Sequence, residues 1–447
     1  MQEISVPTAF RGELIGPSDQ NYDEARAVWN GMIDKRPALI ARCASTDDVV
    51  ASVELAREHG LPVAVRGGGH NVAGNAVCDD GLVIDLSLLR AVEVDPSART
   101  ARAGPGLGWG ELDAATQPHG LATPGGIVST TGIAGFTLGG GIGWLGRPFG
   151  ATCDNLLAAE LVTADGNVLR AGPDENPDLY WALRGGGGNF GVVTSFEYRL
   201  HPVSEVLGGA VFYGPEDAAE ALRFLREFMP EAPDELSTIA IFATPAALGR
   251  AALGIFVCHV GPLEEAEEAT APLRAHGRPL LDAIRPMPFL ELQRQLDAAN
   301  PEGLRNYWKA QYLDQLPDDA TEAIAEFGAR KPSHWSKFLL TALGGAAGRV
   351  GETETAFGHR SAPWILNINA MWETEPDDAA VAWARDFWDA VQPYSDGGTY
   401  VNFLGAEGEG RVRAAYGAET YDRLVELKTK YDPENFFRLN QNIRPRS

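Results

Sequence analysis

Cysteine is scarce in this chain, and the few present do not pair by spacing. The 447 residues include four, Cys43, Cys78, Cys153 and Cys258, far apart and without a CxxC unit, which argues against a disulfide framework or a zinc site. Positive charge is also short: 37 lysines and arginines stand against 61 aspartates and glutamates, a formal net charge of −24. A surface this acidic repels phosphate backbones and anionic headgroups, so neither nucleic acid nor membrane is an expected partner. No run approaches the ~18 apolar residues of a membrane span. The opening stretch MQEISVPTAFRGELIGPSDQ lacks the basic segment and apolar core of a secretory leader. The expected location is the cytoplasm.

Glycine is plentiful, and it clusters. The 51 glycines concentrate in loops, which marks backbone that must turn sharply or approach a ligand closely. The chain is too long for one ordinary core, so two domains are expected. Residues 37–65 read as strand, helix, strand, with Ser45 or Thr46 capping the helix and Gly60 ending it. LAAELVTADGNVLRA reads as a hairpin turning at Asp165-Gly166. After about residue 205 the character changes to strands such as DELSTIAIFATP, AALGIFVCHV and SAPWILNINAMWE. These alternate with amphipathic helices such as EDAAEALRFLREFMP and DDAAVAWARDFWDAV. The tail is expected to be a helix stopping before Pro433, followed by an irregular strand.

The loop Arg66-Gly67-Gly68-Gly69-His70-Asn71 follows an apolar strand and leads through VAGNAVCDDG to another strand. That order differs from a dinucleotide fingerprint, which enters a helix. Successive unobstructed N–H groups form a concave anion site, and a pyrophosphate is its natural ligand. Arg66 offers a donor fork. Taken alone, the triplet reads first as a structural turn beside an incidental histidine. Two further glycine loops, TLGGGIGWLGRPFG at 137–150 and RGGGGNFG at 184–191, shift the reading toward an extended dinucleotide lying along backbone in several places.

Together these runs resemble the berberine-bridge-enzyme-like branch of FAD-linked oxidases, which share the p-cresol methylhydroxylase type of FAD-binding domain. The resemblance rests on RPALIARCAS, VAVRGGGHN, GGIVSTTGIAGFTLGGGIGWLGRPFGATCDNL, DLYWALRGGGGNFGVVTSFEYRL, YVNF and KYDPENFFRLNQNI, in that order and nearly end to end. It implies an α+β fold: a two-subdomain FAD-binding domain over 1–205, a substrate domain over 206–395 with an antiparallel sheet backed by helices, and a returning segment over 396–447. It implies FAD bound covalently through His70, with Arg66, Gly67, Gly68, Gly69 and Asn71 along the pyrophosphate. Thr131, Gly132, Gly135, Gly139, Gly140 and Gly141 are implied near the flavin ring, Val193 near the adenine side, and Asn440 and Asn442 reaching the ring from the carboxyl terminus.

Two departures from the family pattern matter. Val128 stands where doubly attached members have a cysteine, and Cys153 falls after the loop, so one bond, through His70, is expected. Phe403 ends the YVNF run where many members carry a tyrosine that acts as base, and a phenyl ring takes no proton. Tyr400, Asn402 and Thr131 are then the catalytic candidates, with Tyr400 a structural tyrosine in the alternative. RNYWKAQYLDQL alternates Tyr307, Lys309 and Gln311 with Trp308, Ala310 and Tyr312, and either face could line the substrate pocket. NINAMWE poses the same choice. His119, His201, His259, His334 and His359 show no partner pattern and are expected to be structural or solvated. The expected activity is oxidation of a small amine, alcohol, sugar or secondary metabolite by hydride transfer to FAD, with dioxygen as acceptor. The alternatives are a dehydrogenase using another acceptor, or a flavin-binding protein with little turnover.

Overall fold

A computed structural model of the chain describes residues 10–446. The first nine residues, on which the reading of the amino terminus partly rests, lie outside the described residues. Among the described residues no helix is long and apolar enough to cross a membrane.

Two small sheets come first. Glu13–Ile15, Leu39–Arg42, Leu82–Asp85 and Val63–Arg66 lie side by side, the last three parallel and the first antiparallel. Val92–Asp95, Thr100–Ala103, Val192–Arg199, Leu156–Val162 and Val168–Ala171 form an antiparallel sheet. The helix Thr46–His59 joins them. Ser45 caps it by accepting from the Asp48 N–H at 3.2 Å, and Gly60 ends it in the left-handed conformation, φ 63°. Its buried Val49, Val53 and Ala56 pack with Val63, Leu82 and Ile84 of one sheet and Val162 and Val192 of the other.

The third sheet is larger and antiparallel. Its spatial order is Leu281–Asp282, Glu205–Tyr213, Ala252–His259, Leu236–Ala243, Lys337–Ala342, Trp364–Trp372, Arg305–Leu313, with Arg285–Pro288 also paired to Glu205–Tyr213. Strand alternation divides each strand between two environments. Phe242, Phe338, Leu340, Leu366 and Ile368 pack with Leu222, Leu225, Ile324, Trp383 and Phe387 of the helices Ala218–Phe228, Asp318–Ala329 and Asp378–Val391. Residues between these face the opposite way. The α+β architecture and the helix-backed antiparallel sheet agree with the sequence reading.

In the YVNF run, Val401–Phe403 is a single 3₁₀ turn. One local expectation fails: the tail after the helix Ala418–Tyr431 contains no strand. Its backbone donors go to side chains instead of a ladder. The Asp432 carboxylate accepts from the Phe436 N–H at 2.7 Å and the Phe437 N–H at 2.9 Å. Lys428 reaches the same carboxylate at 2.6 Å, the Asn189 carbonyl at 2.7 Å and the Phe437 carbonyl at 2.9 Å. This fully buried ion pair ties the tail to the third glycine loop.

Candidate active site

A cavity of about 840 Å³ opens between the glycine loops and the large sheet. One wall is backbone. The strand Val63–Arg66 ends, and the chain turns through Gly67–Asn71 with Gly69 at φ +70°. A Cβ on Gly68 would lie 2.5 Å from the Gly132 Cα, and one on Gly132 would lie 2.5 Å from the Gly68 N, so the first two loops meet main chain to main chain. The third loop is held from behind. Asn189 donates to the Gly186 carbonyl at 2.9 Å and the Gln441 carbonyl at 3.2 Å, while Asn440 donates to the Gly188 carbonyl at 3.1 Å.

Gly67, Gly68, Gly69, His70, Asn71, Thr131, Gly132, Gly135, Val193 and Asn440 all line the cavity. The wall fits a dinucleotide by its own chemistry. Beyond their own chain neighbours and local helix backbone, no atom of the described residues lies within 4 Å of where a Cβ would stand on Gly135 or Gly188, both on the wall. The buried Oδ1 of Asn440 has no hydrogen-bond partner among the described residues.

The structure moves five expected residues off the wall. Arg66 turns away, donating at 2.8 Å to Asp85 and at 3.2 Å to the Ala27 carbonyl, so its charge is spent inside the fold. Burial pushes the Asp85 carboxyl up, but Arg66 and the Ser87 N–H more than offset it, and the net shift is down. Gly139, Gly140 and Gly141 are packing glycines: added Cβ atoms would meet Asn402 Oδ1 at 2.1 Å, the Phe357 ring at 2.5 Å and Thr152 Oγ1 at 2.2 Å. Asn442 does not reach the cavity, although its neighbour Gln441 does.

The His70 ring stacks on Trp29, centroids 5.2 Å apart and planes 16° from parallel. Surrounding protein desolvates the imidazole and drives it down to about 4, against a hydrogen bond with the Thr130 backbone that acts the other way. His70 is therefore neutral near pH 7 and keeps a nitrogen lone pair. Val128 also lines the cavity, and its side chain has no group to bond with.

Tyr400 is not placed as a base. It is 1% exposed and does not line the cavity. Its oxygen accepts from the Gly141 N–H at 2.8 Å and Asn402 Nδ2 at 2.8 Å, and burial raises its pKa far above the usual phenol value. Asn402 does line the cavity, held by that bond and by donation to the Phe136 carbonyl at 3.0 Å. Phe403 lines it too, edge-on to Trp308 with centroids 6.0 Å apart.

The opposite wall is the inner face of the large sheet, in three cross-strand rows. Trp308, Asn369 and Lys337 are register partners. The next row runs Asn367, Leu339, Ile241, Gly254, Phe212. The third runs Thr341, Ile239, Phe256, Ala210. The Trp308 face thus lines the cavity, while Lys309 lies over the Trp388 ring and pairs with Glu407. His334, expected to be structural or solvated, stands at the exposed rim of the cavity.

The sequence reading missed Lys337. It is 5% exposed, lines the cavity and donates to the Ala299 carbonyl at 2.6 Å. Burial, reinforced by the nearby Lys331 charge, pushes its ammonium down to about 7. The available signal was a lone lysine opening the apolar run KFLLTA, in register with an asparagine on the next strand and a tryptophan on the one beyond.

Comparison with known proteins agrees with this geometry. Residues 37–172 match a family model described as an FAD binding domain, and residues 399–444 match one described as berberine and berberine like. An FAD-linked oxidoreductase of Dictyostelium discoideum is 34% identical over 96% of this chain and 93% of its own. The (R)-6-hydroxynicotine oxidase of Paenarthrobacter nicotinovorans is 32% identical over 99% of both chains. The crystal structure of 6-hydroxy-D-nicotine oxidase from Arthrobacter nicotinovorans superposes with a TM-score of 0.90, covering 99% of this chain and 100% of the other at 32% identity.

Proposed function

The chain belongs to the berberine-bridge-enzyme-like FAD-linked oxidoreductases, and on that premise we propose that it is an oxidase holding FAD covalently through His70 and passing electrons from a small organic substrate to dioxygen. The observation that carries this reading is a neutral, Trp29-stacked His70 at one wall of a cavity whose other wall carries a buried lysine. Gly67–Asn71, Thr131, Gly132, Gly135, Val193 and Asn440 would hold the cofactor, which when bound supplies a hydride acceptor that dioxygen can reoxidise. Attachment needs a neutral imidazole nitrogen as nucleophile, and burial keeps His70 in that form. A single bond is expected, because Val128 offers no thiol and Cys153 is buried away from the cavity.

The chain's own residues then handle the proton. Near neutral pH a substantial fraction of Lys337 is free amine, so Nζ accepts the proton of a substrate O–H or N–H as the neighbouring C–H bond weakens. Asn402, its amide fixed by Tyr400 and the Phe136 carbonyl, orients the substrate at the junction of the two walls. Thr131 lies on the backbone wall, where a stiff β-branched side chain shapes access to the cofactor face. Residues 1–205 with 396–447 make the cofactor domain in this reading, and 206–395 the substrate domain. The four cysteines are buried and free, which suits a reducing cytoplasm.

The test is chemical. Acid-denatured protein is digested, and flavin is sought by mass spectrometry on the peptide containing His70; flavin released entirely into the supernatant would overturn the attachment. Peroxide formation under air, compared with turnover on an artificial acceptor, separates an oxidase from a dehydrogenase.

A further inference from the structure

The charge pattern of the cavity narrows the substrate. Among the described residues lining it there is no aspartate, glutamate or arginine; its ionisable side chains are His70, His334 and Lys337. Three carboxylates of neighbouring segments are engaged elsewhere. Glu373 is exposed and accepts from Trp335 Nε1 at 3.0 Å, Asp297 accepts from the Ser129 N–H at 2.8 Å, and Glu407 pairs with Lys309 on the far face of the sheet. The one neighbouring cation, Lys331, donates to the carbonyls of Ser333 and His334. Among the described residues Lys337 therefore has no ion-pair partner, and its one bond there, to the Ala299 carbonyl, uses one of three donors.

Two amide atoms beside it are also unspent. Asn369 is the direct register partner of Lys337, and its buried Nδ2 has no partner among the described residues. Asn367 lies one row further on the same face, and its buried Oδ1 is likewise unpartnered. Trp308, Trp335 and Phe403 line the same cavity. The site thus presents an unpaired cation, an amide donor, an amide acceptor and aromatic walls.

Resting on the oxidoreductase reading above, we infer that the substrate is an aromatic molecule bearing an acidic hydroxyl, a phenol or enol, whose oxygen docks as the oxyanion between Lys337 Nζ and Asn369 Nδ2. Where Lys337 is the free amine the hydroxyl proton passes to it, and where Lys337 is already the ammonium the proton leaves to solvent; either way an ammonium–oxyanion pair remains and no further reactant is needed. A charge-assisted pair in this enclosed place is stronger than a neutral hydrogen bond. An ammonium group docked there would face Lys337 with no carboxylate to neutralise it, and burying it unpaired is costly. The strongly acidic surface does not decide the matter, because the local field comes from the residues lining the cavity.

The test uses three probes of similar size on purified holoenzyme at pH 6: 4-nitrophenol, nitrobenzene and 4-nitrobenzylammonium. 4-Nitrophenol is expected to bind as its coloured anion at a pH where the free probe is mostly protonated, about 10- to 100-fold more tightly than the other two. Lys337→Met should abolish the anion band and reduce affinity to that of nitrobenzene, and Lys337→Arg should keep the band. Asn369→Ala should weaken 4-nitrophenol by about fivefold to tenfold without affecting nitrobenzene. Tighter binding of the ammonium probe than of 4-nitrophenol, or an anion band that persists in Lys337→Met, overturns the inference. The wild-type probe series decides the matter even if a variant fails to fold. Acid-stable flavin measured in the same samples reports separately on the oxidoreductase reading. Flavin-free protein that still ionises the phenol keeps this inference, while flavin-bearing protein that prefers the ammonium overturns it alone.

Discussion

The two sides of the cavity are built from different parts of the chain's chemistry. On the cradle side Gly68 and Gly132 touch through main-chain atoms, and the shape is set by backbone that tolerates no Cβ. On the floor side Trp308, Asn369, Lys337, Asn367, Leu339, Thr341 and Ile239 project from strands whose ladders do not depend on them. A wall of backbone suits a ligand of one fixed shape, such as a cofactor. A floor of side chains suits discrimination among substrates, because one residue can change without moving a strand. The cradle is also braced from behind by the Lys428–Asp432 pair, whereas Lys337 stands without an ionic partner.

The largest effect should come from the floor. Lys337→Met removes the proton acceptor, and anaerobic stopped-flow flavin reduction should slow about 10²- to 10⁴-fold. The same change should not weaken the fold. Lys337 falls from 10.5 to about 7 on folding, so between those values the unfolded chain binds more protons and stability rises with pH. Below about pH 7 the group is charged in both states and the folded state bears the full cost of burying it. Lys337→Met should therefore flatten the rise in stability between about pH 7 and 10.5 and be the more stable protein near pH 7, as read by urea denaturation across pH. Equal loss of rate and of stability would mean that Lys337 is structural.

These two walls were unequally legible. RGGGHN announced a turn that backbone must make close to a ligand, because only glycine can do so, and His70 followed from the resemblance. Arg66 looked like a phosphate donor, but nothing local in VAVRGGG reveals that Asp85, its register partner on the neighbouring strand, would take its charge. The glycines at 139–141 carried the same signature as those at 67–69, yet they admit Thr152 and, from distant sequence, Asn402 and Phe357. Lys337 was invisible for a related reason. Its partners Asn369 and Trp308 come together only through strand register, and register is a long-range property. The run YVNF leaves Tyr400 open as either a base candidate or a structural tyrosine, and the 3₁₀ turn that follows it has no sequence mark.

The next largest effect should break the cradle from behind. Lys428→Met leaves Asp432 buried without its cation and frees the Asn189 and Phe437 carbonyls. Removing one partner of a buried pair costs about 3–5 kcal/mol. Urea denaturation should show that loss, with less flavin retained, while the double change Lys428→Met with Asp432→Leu should recover part of the stability.

A direct blow to the cradle should cost less. Gly68→Ala places a Cβ 2.5 Å from the Gly132 Cα, and backbone cannot yield as a side chain would. Overpacking of this kind costs about 1–3 kcal/mol. Flavin incorporation, read from the flavin-to-protein absorbance ratio, should fall more steeply than stability, because the two loops must part at the point where the cofactor lies. Gly60→Ala, at a helix end remote from the cavity, supplies the control: strained at φ 63° but expected to keep its flavin.

The smallest effect should come from Tyr400, which lies outside the cavity lining and holds Asn402. Its hydroxyl accepts from the Gly141 N–H and from Asn402, but Asn402 Nδ2 also donates to the Phe136 carbonyl and keeps that bond when the hydroxyl goes. Tyr400→Phe thus strands one backbone donor outright, and a single lost hydrogen bond is worth about 1 kcal/mol. The phenyl ring fills the same volume against Phe357 and Phe403, so no cavity term is added. Asn402 should become freer at the cavity, and flavin reduction should slow a few-fold through its looser orientation. The ionisation seen in the pH profile of flavin reduction should stay where it is in wild type, because the group that titrates is Lys337. If Tyr400→Phe instead abolishes that ionisation while Lys337→Met leaves it in place, the proton acceptor belongs to the cradle side and the division of labour between the two walls is wrong.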